Sequence, residues 1–128
     1  MTTVTRLITH ADLDAGATDP RRMSVSARLE AVLADGRRVL LLDDRGWSAS
    51  GPEDIRAWTS AEDVERTALT VVGPDEPFED RTPEQMAADH WGALAGVLRR
   101  QGVDVDAREL ERLPHDIVLS ERLRAWIA

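Results

Sequence analysis

The sequence predicts an α+β fold, with an N-terminal antiparallel sheet packed against C-terminal helices. Three observations predict it. Apolar and polar residues alternate from Met23 to Leu33, the period of a strand with one buried face. Asp35-Gly36 separates that run from a second one ending at Asp43, and Asp-Gly between two such runs marks a hairpin. The signals that start and stop helices lie beyond residue 58. Strands first and helices afterwards is not the alternating order of a doubly wound parallel sheet.

The elements follow in order. TTVTRLIT, residues 2–9, is rich in Thr and β-branched side chains and predicts a first strand. Residues 10–22 hold Gly, Pro and Asp and read as a loop. In the hairpin over 23–43, a type I′ turn at Asp35-Gly36 sets Ala34 against Arg37, Val32 against Val39, Glu30 against Leu41 and Arg28 against Asp43. Leu29, Ala31 and Leu33 then share the inner face with Leu40 and Leu42. A slip of one residue would bury Arg28 and expose Leu29, so the pattern defends this register.

DIRAW, residues 54–58, reads as a further short strand. Thr59 or Ser60 caps a helix over 61–72, with Gly73 as a left-handed stop and Pro74 forbidding continuation. Thr82-Pro83-Glu84-Gln85 opens a helix over 83–101, whose core stripe is Ala87, Trp91, Leu94, Ala95 and Leu98. Asp106 with Glu109 caps a short helix over 107–113. Ser120 caps the last, over 121–127.

Composition narrows the function. A chain of 128 residues fits one domain, here 1–128, and can stand on one core without staples. The absence of Cys excludes disulfides, thiol nucleophiles and thiolate metal sites. The apolar runs are too short to span a bilayer. The first residues lack the basic-then-apolar order of a signal peptide, so a cytoplasmic location is expected. Lys, Asn and Tyr are missing. Their codons are AT-rich, which points to a high-GC bacterial genome.

Charge is segregated. The formal net charge is −8. Residues 1–50 carry seven Arg and seven acids, and residues 91–128 carry six of each. Residues 51–90 carry three Arg (Arg56, Arg66 and Arg81) against eleven acids, so the whole excess sits in the middle third. Direct binding to nucleic acid is disfavoured, because phosphate contacts need a cationic surface. Attraction to a basic protein is favoured.

Chemical motifs are scarce. No Gly-rich phosphate loop, dinucleotide fingerprint or G-x-S-x-G element is present, and no cofactor is expected. His10, His90 and His115 lack metal-ligand spacing, and no metal site is expected. Asp12, Asp14 and Asp19 alternate loosely, but a calcium loop's sixth-position Gly and closing Glu are missing. Asp43-Asp44 reads as a strand end and turn, since adjacent strand residues point to opposite faces. His90 reads as packing beside Trp91, and His115 as a cap or backbone contact.

The partner-binding candidates are Asp75, Glu76, Glu79 and Asp80, which surround Phe78, with Trp47 and Trp58 near the same acidic third. Phe78 either anchors a partner inside a polar ring or folds back over the sheet. The expectation is a non-catalytic acidic module that binds a basic protein, in the manner of a bacterial immunity or antitoxin-type inhibitor. The alternatives are a small enzyme or ligand-binding domain with a pocket between sheet and helices, and an accessory domain that self-associates through a strand edge. The sequence leaves oligomeric state open.

Overall fold

A computed structural model describes residues 3–128. Four strands form one mixed sheet: β1 (Val4–Leu13), β2 (Arg22–Leu33), β3 (Arg38–Ser50) and β4 (His115–Leu119). Their order is β3-β2-β1-β4. The first three pair antiparallel, as alternation and the hairpin imply. β4 runs parallel to β1, setting Leu7 beside His115 and Ala11 beside Leu119. The helices are α1 (Ala61–Val71), α2 (Pro83–Arg100), α3 (Ala107–Arg112) and α4 (Glu121–Ile127). The fold is therefore α+β, with strands mostly N-terminal and helices C-terminal.

All four helices start where a side chain accepts a backbone N–H. Ser60 accepts from Asp63, Asp106 from Glu109, and Ser120 from Leu123. Thr82 and Gln85 form a reciprocal capping box. The helices cover one face of the sheet in two clusters. Leu7, Leu29, Ala31, Leu33 and Leu41 pack with Trp91, Leu94, Leu98 and Leu110. Ala11, Met23 and Val25 pack with Ile55, Val64, Ala68, Leu119 and Leu123. Each such Leu or Val removed from water contributes about 1.5–3 kcal/mol.

Several local expectations are corrected. The first strand reaches Leu13, so His10–Leu13 is strand rather than loop; Thr2 lies outside the described residues. The hairpin turn spans three residues, with the Leu33 N–H bonded to the Arg37 carbonyl at 2.8 Å. Of its Asp-Gly pair only Gly36 is left-handed, at φ 89°, which makes this a three-residue loop rather than a type I′ turn. Val32 accordingly meets Arg38, and Glu30 meets Leu40.

Register shifts on either side of Leu29 then move β3 along β2. Leu41 is the extra residue of one bulge. The Asp43-Asp44 pair opposes Arg28 in the other, and no Arg28–Asp43 ion pair forms among the described residues. Leu41 is the buried residue, 7% exposed, whereas Leu40 is 44% exposed. Beyond the bulges Gly46 presses against β2, where a Cβ would stand 2.6 Å from the Val25 carbonyl oxygen.

Residues 54–58 are not a strand. Ile55–Trp58 is a single 3₁₀ turn capped by Asp54. Gly73 is not left-handed; α1 closes instead with the Gly73 N–H on the Thr70 carbonyl at 3.1 Å. No described helix is long and apolar enough to cross a membrane.

Candidate functional site

The acidic linker between α1 and α2 is held at three points. Arg45 of β3 donates to Asp75 at 3.0 Å and to the Val71 carbonyl at 3.4 Å. The Phe78 carbonyl accepts from the Arg81 N–H at 3.1 Å. Arg81 in turn pairs with Asp89 on α2. The Phe78–Arg81 turn puts Glu79 at φ 55°, a left-handed conformation that a non-glycine residue adopts at a cost of order 1 kcal/mol. These ties leave Phe78 projecting outward, 56% exposed, instead of folding back over the sheet.

Phe78 and Asp75 stand at the rim of a crevice of about 350 Å³, completed by Leu42, Arg45, Arg81 and His90. His90 packs edge-on to Trp91 with ring centroids 4.9 Å apart. Burial pushes its pKa below the ordinary imidazole value, outweighing a hydrogen bond to the Val72 backbone. A neutral ring that donates one N–H to a carbonyl keeps its other nitrogen as an acceptor. Nε2 of His90 is that kind of atom: buried, with no hydrogen-bond partner among the described residues. Arg45 and Arg81 already face acids, and the His90 acceptor lies buried behind the crevice wall.

Part of the charge excess is exposed here. Arg56, Arg66 and Arg81 are taken up by Asp54, Asp63 and Asp89, and Asp75 is held by Arg45. Glu76, Glu79, Asp80 and Glu84 are exposed, and no ion pair among the described residues neutralises them. Along the linker the structure thus assembles Asp75, Glu76, Phe78, Glu79 and Asp80. It does not bring the two tryptophans to the crevice. Trp47 is half-buried and packs against both core clusters. Trp58 is 63% exposed on its 3₁₀ turn and lines no part of the crevice.

Arg45 and Arg81 escaped the sequence reading, whereas His90 packs beside Trp91 as expected and also lines the crevice. Only the run of acids hinted that some neighbouring Arg must bind back. The other histidines divide between two faces. His115 lies on β4 with Nε2 2.6 Å from the Oγ1 of Thr9, a fully buried polar side chain of the sheet, rather than at a helix cap. Asp116 points the other way and pairs with Arg6 at 3.1 Å, so His115 and Asp116 form no acid–base dyad. Among the described residues no group of three His, Asp or Glu side chains is placed to hold a metal ion. No family model matches the chain, and neither a curated protein nor a solved structure shows significant similarity to it.

Proposed function

We propose that this chain is a non-catalytic acidic module whose α1–α2 linker docks a basic protein. The carrying observation is Phe78, an exposed aromatic ring beside Glu76, Glu79 and Asp80, which form no ion pair among the described residues, at the mouth of a crevice lined by His90. An aromatic anchor with a polar ring around it is the usual composition of an interface hot spot. Surplus carboxylates steer a cationic partner toward it. Within this class the reading favoured is an immunity- or antitoxin-type inhibitor that covers the basic surface of a bacterial toxin. Small size and segregated charge support it.

The test is capture from native lysate at low and high salt, with bound proteins identified. Wild type would be compared with Phe78→Ala and with a triple variant carrying Glu76→Lys, Glu79→Lys and Asp80→Lys. The expected result is a basic partner held by wild type, released at high salt and lost from both variants, whose circular dichroism stays native. A partner indifferent to salt and to both variants would refute the reading. Unfolding of the triple variant would make the linker a structural element instead.

A further inference from the structure

The sheet face turned away from the helices carries a second polar cluster, separate from the acidic linker. Alternation along β1 puts Ile8, His10 and Asp12 on it, and β2 contributes Ser26, Arg28 and Glu30. His10 is paired across the strands with Arg28, and Asp12 with Ser26. Directly opposed side chains start about 4.5–5.5 Å apart at Cβ, so these four groups share one space. They line a depression of about 270 Å³ with Val118 and Ser120.

The acids of this cluster each already face a basic side chain. Arg122 grips Asp12 with two parallel hydrogen bonds, Nε at 2.7 Å and Nη2 at 2.5 Å. Those bonds hold the Asp12 carboxyl well below the usual carboxylate range, and Ser120 adds a further hydrogen bond. Glu30 faces His10 Nε2 at 2.7 Å and Arg38 at 3.8 Å. The cation left over is Arg28, which has no ion pair or hydrogen bond among the described residues. A chain of net charge −8 thus keeps an uncompensated guanidinium inside a concavity.

His10 Nε2 and Glu30 Oε1 are close but lack hydrogen-bond geometry, and both atoms are cut off from solvent. Each therefore serves the other at ion-pair distance and neither reaches into the depression, which leaves Arg28 as its free charged group. A relay from Glu30 through His10 to a nucleophile is not built, because Ser26 makes no hydrogen bond to His10.

We propose that this face binds the oxyanion group of a small ligand, a carboxylate or a phosphate monoester, with Arg28 as the principal contact and the Ser26 hydroxyl beside it. The planar guanidinium fork matches the two oxygens of either group.

The test follows amide chemical shifts of the full chain by NMR while inorganic phosphate or succinate is added at constant ionic strength. The expected result is saturable shifts confined to residues 10, 12, 26 and 28 and their strand neighbours. Arg28→Gln should weaken binding at least about tenfold. Ser26→Ala should weaken it less, and Arg108→Gln on α3 should not weaken it at all. Saturation by phosphate alone assigns a phosphate ligand, by succinate alone a carboxylate ligand, and by both the shared oxyanion chemistry. Shifts that never saturate with either probe, or saturation unchanged in Arg28→Gln, would overturn the proposal.

Discussion

Arg45 on β3 holds Asp75 at 3.0 Å, thirty residues further along the chain, and thereby fastens the acidic linker to the sheet rather than to the helices on either side of it. An exposed pair of this kind is worth about 0–1 kcal/mol, so its role is to fix position more than to stabilise. Arg45→Gln should leave the melting temperature nearly unchanged. Hydrogen exchange should nevertheless show lost protection along 75–81, since that segment would then hang from α1 and α2 alone. Unchanged protection would mean that the Phe78–Arg81 turn and the Arg81–Asp89 pair suffice.

The bulge at Leu41 makes a sharp contrast between neighbours. Leu41 sits in the core and Leu40 at the surface, opposite to what an uninterrupted register requires. Leu41→Asp should therefore cost more than about 3 kcal/mol, or unfold the chain, by burying an unpaired charge. Leu40→Asp should change stability by less than about 1 kcal/mol. Chemical denaturation of the two variants side by side decides the matter. Equal losses would mean that β3 carries no bulge there.

Acid sensitivity should come from two histidines. Burial lowers the pKa of both His90 and His115 from the ordinary 6.5, so the fold holds them neutral. The unfolded chain takes up protons first as pH falls through 6.5, and the native state loses ground from there down to the depressed folded values. The melting temperature should be higher near about pH 7.5 than near about pH 5.5. His115→Gln should flatten that dependence. A slope that the variant leaves untouched would place the sensitivity elsewhere.

What the sequence revealed was local. Ser60, Thr82, Asp106 and Ser120 announced their helices because a cap needs only the next three residues. The inner face of β2 was legible because Met23 to Leu33 keeps a clean period of two. HDIVL was not legible as a strand: it has five residues and follows a proline, and its partner lies more than a hundred positions away. The two bulges were hidden for the reason that makes register arguments attractive, since alternation assumes that no residue is ever extra. The acidic linker could be read from composition. His10, Arg28 and Glu30 meet only through cross-strand pairing, so their cluster has no signature in one dimension.

The β1–β4 pairing also bears on how the chain reaches this state. Leu7 meets His115 and Ala11 meets Leu119, so a ribosome must add more than a hundred residues after the first strand before its second neighbour exists. Until then β1 presents a bare edge, and the cluster around Val64 and Ala68 lacks Leu119 and Leu123. Contacts of such long range slow folding relative to helical chains of equal length. A nascent chain of this sequence would therefore stay incompletely closed through most of its synthesis, and would depend during that interval on whatever shields an exposed strand from its neighbours.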